Sequence, residues 1–226
     1  MWRWSFKRAS YEQLGKFSAA NIEYYGTFLL AIQEIPYAKL KFADEGHFRS
    51  KGKYFTETYP FIDLLRQLVL SPINEPKKLP TSADLDTTYS VTVLTTLNPF
   101  APHPVILDLR EDSNAAIDFL NILTFWIEQK HLIEGDILVV DNASVHVAEE
   151  IQEALLQLCQ AAGVSLRLLP TYSPELNPCE LVFGLMKTHL RYWRGSSRFW
   201  LEILNAASVV TYEQMLSFYK YCLVPK

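Results

Sequence analysis

The chain has 226 residues, of which 49% are hydrophobic and 20% charged, with a formal net charge of -4. That composition excludes disorder over most of the length and supplies enough apolar surface for a core without covalent staples. The negative balance excludes a basic nucleic-acid coat, while remaining compatible with an enzyme whose carboxylates hold metal.

Taken in chain order, residues 10–34 carry apolar side chains near a 3.6-residue period and predict a helix that Pro36 ends. Residues 38–45 alternate and predict a strand with Asp44 and Glu45 at its C-terminal end, with a second strand expected around 53–56. Residues 61–70 predict a short helix, and the proline-rich run after it a loop. Two β-branched stretches, 89–97 and 104–109, predict strands; 114–131 predicts a helix capped by Ser113 or Asn114. The almost wholly apolar run 136–141 predicts a strand covered on both faces. Residues 147–162 follow as an amphipathic helix with Gly163 at its C′ position, then a strand at 164–169 and a loop at 171–178. Helices are expected at 180–194 and 199–224, the latter broken near 209–211. Antiparallel strands first and strand–helix alternation afterwards predict a mixed α/β sheet with helices on both faces. The domain division expected is a helical lead-in or linker remnant over 1–36 and one α/β domain with a helical C-terminal tail over 37–226.

Cys159, Cys179 and Cys222 are odd in number and lack a CxxC pair, so buried thiols in a reducing compartment are expected. Residues 1–16 mix Trp2, Arg3, Trp4, Lys7 and Arg8 without an apolar signal core, and no run approaches the roughly 18 apolar residues of a membrane span. A soluble, intracellular chain without a membrane partner is the expectation.

Three acids sit where chemistry is expected. Asp141 ends the 136–141 run, at the carboxyl end of a strand, where sites of open α/β sheets lie. The bland alternative is that Asp141 or Ser144 caps the helix that follows. Glu180 falls on the first turn of a helix after a turn bracketed by prolines, where an acid also favours the helix dipole. Its rival, Glu175, lies mid-loop. Position alone leaves Asp44 and Glu45 undecided, because successive strand residues face opposite sides.

The strings Val-Val-Asp-Asn-Ala-Ser-Val-His (139–146) and Leu-Leu-Pro-Thr-Tyr-Ser-Pro-Glu-Leu-Asn-Pro-Cys-Glu (168–180) resemble the DDE domain of mariner-like transposases and their bacterial insertion-sequence relatives. Phe42-Ala43-Asp44-Glu45 is similar to the strand bearing that family's first acid. The resemblance implies an RNase-H-like fold with three antiparallel strands plus parallel ones, and a two-metal mechanism using Mg2+ or Mn2+. It implies Asp44 rather than Glu45 as the first acid, and Asp44, Asp141 and Glu180 as catalytic and metal-holding residues. It further implies phosphodiester hydrolysis at transposon ends followed by strand transfer, with DNA as partner and a homodimer or higher assembly on it. The expected compartment is the nucleus in a eukaryote and the cytoplasm otherwise. The third acid is Glu, where strict mariner members have Asp. Only about 35 residues precede the first strand, too few for the family's helix-turn-helix modules, so reading of DNA ends is expected to come from elsewhere.

Asn142 and His146 are expected to support the site by positioning water, phosphate or the Asp141 side chain. On a helix, Lys187, Arg191 and Arg194 share one side by i, i+4 and i, i+7 spacing and suit phosphate contact as well as they suit a solvated face. The alternative function is a catalytically silent, truncated or domesticated descendant that serves as a DNA-binding or dimerisation module.

Overall fold

A computed structural model describes residues 14–50, 62–63, 68–69, 87–111, 116–141, 149–191 and 198–224. Among these, five strands form one sheet in the order β5-β4-β1-β6-β7. The strands are β1 (Leu40–Arg49), β4 (Thr88–Thr96), β5 (Val105–Arg110), β6 (Ile137–Val140) and β7 (Ser165–Leu168). β5, β4 and β1 pair antiparallel, whereas β6 and β7 run parallel to β1. This is the mixed sheet the sequence predicts.

Side-chain alternation along the strands builds two cores. On one face, Leu40, Phe42 and Phe48 of β1, Val91 and Val93 of β4 and Val139 of β6 join one apolar cluster. It is covered by α1 (Ala19–Gln33), α4 (Pro178–Leu190), α5 (Phe199–Ser208) and α6 (Tyr212–Leu223). On the other face, Ala43, Leu94, Leu138 and Val140 meet α2 (Ala116–Glu128) and α3 (Glu149–Ala161). β6 is therefore apolar at every position because both its faces are covered. Each fully buried Leu, Val or Phe contributes about 1.5–3 kcal/mol.

Local signals set the helix boundaries. The Ser18 hydroxyl accepts from the Asn21 N–H and starts α1, so the helix expected over 10–34 divides into a 3-10 turn at Leu14–Phe17 and α1. α1 buries Phe28 and Ile32 in the first core. Gly163 takes φ +68° after α3, and its N–H bonds to the Gln160 carbonyl, as a C′ glycine should. A capping box between Thr211 and Gln214 opens α6, which explains the break between α5 and α6.

Two expectations change. The first strand does not end at the acids: β1 continues through Gly46 to Arg49, which pairs with Thr88, leaving Asp44 mid-strand. In place of the helix expected over 61–70, Ile62–Asp63 (β2) and Leu68–Val69 (β3) pair antiparallel as a small separate sheet. Short apolar runs of this kind suit either element, and periodicity alone does not separate them. The strand expected around 53–56 lies outside the described residues.

All three cysteines are buried and unbridged, as expected. No helix among the described residues is long and apolar enough to cross a membrane.

Candidate active site

Asp44 and Asp141 reach the same face of the sheet for a simple geometric reason. Phe42 pairs in parallel register with Val139, and Ala43 with Val140. Phe42 and Val139 both point into the first core, so the next residues of that parity, Asp44 and Asp141, share that side. Asp141 stands immediately beyond the end of β6, at its carboxyl terminus, and is half-buried. Asp44 is buried, with 9% of its surface exposed.

The same face is roofed by α4, whose apolar stripe Cys179, Val182, Phe183, Met186 and Leu190 packs onto the sheet. The Cys179 thiol lies 3.4 Å from the Phe42 carbonyl, and Phe183 stands edge-on to Phe48 at 6.0 Å between ring centres. Gly46 permits this approach: a Cβ there would fall 3.0–3.2 Å from three ring carbons of Phe183. α4 begins at Pro178, two residues earlier than expected, with Asn177 as N-cap and Pro178 at the first helical position. Glu180 thus occupies the third helical position, where the exposed N–H groups and the dipole favour an anion.

The Asn177 side chain spans the gap between sheet and helix. Its Oδ1 accepts from the Cys179 N–H at 3.1 Å, and its Nδ2 donates to Asp44 Oδ2 at 2.8 Å. Asp44 Oδ1 accepts from the Glu45 N–H at 2.7 Å. Glu45, the next residue along β1, points to the opposite side of the sheet by strand alternation.

Burial is the main force raising the Asp44 carboxyl, offset in part by the Glu45 N–H; the charges of Glu180 and Asp141 raise it further, and Asn177 opposes them. The outcome is a pKa pushed up to about 7. Glu180 and Asp141 are thus both near enough for their charges to act on Asp44. Among the described residues, however, no three His, Cys, Asp or Glu side chains are gathered tightly enough to hold one metal ion.

The remaining predicted residues divide. Lys187 lies on α4 two turns beyond Glu180 and on the same side, with Nζ 5.6 Å from the Phe48 ring centre and 5.9 Å from that of Phe183. Arg191 is exposed at the C-cap of α4. Asn142, His146 and Arg194 lie outside the described residues. Glu175, the rival acid, is committed elsewhere, paired with Lys16 at 2.9 Å. The contact between Asn177 and Asp44 is the feature that sequence reasoning missed. Its only trace is an Asn-Pro pair three residues before an acid, which signals a helix start but not what the free end of the amide reaches.

A family model described as DDE superfamily endonuclease matches residues 72–199, more than half of the chain. The catalytic domain of Mos1 mariner transposase is similar in structure, with a TM-score of 0.57 and 12% identity over 96% of this chain and 96% of that one. The same catalytic domain with raltegravir and Mg gives a TM-score of 0.56 and 12% identity, covering 89% of this chain and 88% of that one. The Mos1 mariner paired-end complex with Mn gives 0.61 and 11% identity over 97% of this chain, which spans 64% of the transposase chain in that complex. No curated protein matches in sequence. At these identities the likeness is one of fold, the RNase H-like fold of the Mos1 catalytic domain.

Proposed function

The chain belongs to the DDE superfamily endonucleases, and from that membership we propose that it is the metal-dependent catalytic core of a DNA transposase, with Asp44, Asp141 and Glu180 as its acids. The observation that carries the reading is the Asp44 carboxyl, buried and raised to about 7 partly by the charges of the other two. Groups arranged to perturb one another in this way are costly and mark functional sites.

The donors are all carboxylate oxygens, which suit Mg2+ or Mn2+. The reading is of two ions, each taking part of the carboxylate set and the rest of its shell from water and substrate oxygens. Bound cations would lower the pKa of an attacking water and stabilise the departing oxygen of the phosphodiester. Asp44, with one oxygen on the Glu45 N–H and the other on Asn177, keeps lone pairs for ligation on each. Asp141 and Glu180 would complete the set from the end of β6 and the first turn of α4. Water attack at a transposon end breaks a P–O bond and frees a 3′-hydroxyl, which attacks a target phosphodiester by transesterification at the same acids. Lys187, Arg191 and Arg194 would contact DNA phosphates, and Asn142 and His146 would support Asp141. The working form would be a homodimer or higher assembly on DNA; Mos1 transposase, similar in fold, is known as a paired-end complex.

The test is Mn2+-dependent cleavage of nicked or single-stranded DNA by the wild type beside Asp141→Ala. Cleavage by the wild type alone supports the reading; equal signals remove it. The alternative is a catalytically silent descendant that serves as a DNA-binding or dimerisation module. A calorimetric titration with Mg2+ or Mn2+ that shows no binding would favour it.

A further inference from the structure

Asn177 is buried to 2% exposure, and every hydrogen-bonding group of its side chain and backbone that could wander is tied down. Its N–H donates to the Pro174 carbonyl at 3.0 Å, and its carbonyl accepts from the Glu180 N–H at 3.2 Å. The amide orientation is over-determined. A flip would set Nδ2 against the Cys179 N–H and Oδ1 against the Asp44 carboxylate, replacing two attractive contacts by two repulsive ones. A helix cap requires only the Oδ1 half of this arrangement. The Nδ2 half is surplus to capping and is spent on the first acid.

We propose that Asn177 is a positioning residue that fixes the Asp44 carboxylate relative to Glu180, so that both can ligate divalent cations at the proposed site. One residue links the two: its side-chain Nδ2 donates to Asp44 Oδ2, and its backbone carbonyl accepts from the Glu180 N–H. Asp44 is gripped on its other oxygen by its own strand, through the Glu45 N–H. Removing the Nδ2 contact frees the carboxylate to rotate about its remaining bond, and the separation of the two acids is no longer set. The contact acts as hydrogen bonds behind metal ligands generally do, by orienting a ligand without touching the metal.

This inference rests on the nuclease reading, and the experiment separates the two. Manganese chloride is titrated calorimetrically into wild type, Asn177→Ser, Asn177→Ala and Asp44→Asn, with thermal melts of each in EDTA. Serine caps a helix as well as asparagine but is one atom too short to hold Asp44 as well. The serine variant is expected to melt above the alanine variant, which loses cap and donor together, yet to bind Mn2+ about 10–100-fold more weakly than wild type. Should it fail to fold, Asn177→Thr repeats the test with another capping residue. Wild-type affinity in the serine variant, with binding abolished in Asp44→Asn, overturns the positioning role and leaves the nuclease reading intact. A wild type that binds no Mn2+ overturns both.

Discussion

Asp44 and Asp141 each follow directly on the last parallel pair of the sheet, Ala43 opposite Val140, and the pleat turns both toward the face that α4 covers. Burial is the main force raising the Asp44 carboxyl, and the charges of Glu180 and Asp141 add to it. With its carboxyl raised to about 7, Asp44 in the folded chain keeps a proton that the unfolded chain releases near pH 4. Its contribution to stability is therefore full below about pH 4 and lost as pH rises through about 7. In EDTA, wild type is expected to lose a few kcal/mol of stability relative to Asp44→Asn between about pH 4 and 7, about 1.4 for each pH unit of displacement, whatever fixed offset the amide brings. Denaturant melts across that range measure the difference. A gap that does not change with pH would contradict the account.

Gly46 governs how closely α4 approaches β1. Gly46→Ala places a methyl 3.0–3.2 Å from three carbons of the buried Phe183 ring, which cannot yield without moving the helix. Overpacking of this kind costs about 1–3 kcal/mol. Because α4 also carries Asn177 and Glu180, the same variant is expected to weaken Mn2+ binding, read by calorimetry beside a thermal melt.

A second buried charge pair lies on the sheet face away from the site. Lys41 and Asp136, 0% and 1% exposed, stand 3.5 Å apart; Lys41 also donates to the Ala38 carbonyl, and Asp136 accepts from the Ile133 N–H. Lys41→Met strands a buried carboxylate and is expected to cost about 3–5 kcal/mol. Adding Asp136→Asn should recover much of that loss, since the amide still accepts from Ile133 without a charge. Urea melts of the single and double variants decide it.

Tyr219 ties α6 to the sheet through a fully buried hydroxyl, 3.0 Å from Thr95 Oγ1 and 3.1 Å from the Leu40 carbonyl. Tyr219→Phe keeps the ring, which packs edge-on to Phe42, but removes both contacts, leaving Thr95 Oγ1 with its bonds to the Phe42 backbone. A loss of about 1–3 kcal/mol is expected, read as a fall of several degrees in the melting temperature with the metal affinity unchanged.

Much of the architecture is legible in the sequence because it depends on local signals. The apolar run 137–140 reads as a doubly covered strand since both its faces meet helices. Gly163 reads as a helix end because its φ is positive, and the break at 209–211 because Thr211 caps α6. What the sequence hides is set by partners far along the chain. β1 runs on past Asp44 because β4 pairs with it as far as Arg49. The pairing of Ile62 with Val69 competes with a helix that the same apolar residues would also suit. Asn177 meets Asp44 across 133 positions of sequence, a distance no local pattern encodes.

The claim that holds the account together is that residues 44, 141 and 180 jointly bind divalent ions. Crystals soaked in manganese and measured at a wavelength where manganese scatters anomalously test it without recourse to activity. The account predicts anomalous peaks bounded by the Asp44, Asp141 and Glu180 carboxylates. No peak there at saturating manganese, with the three carboxylates still apart, would contradict it.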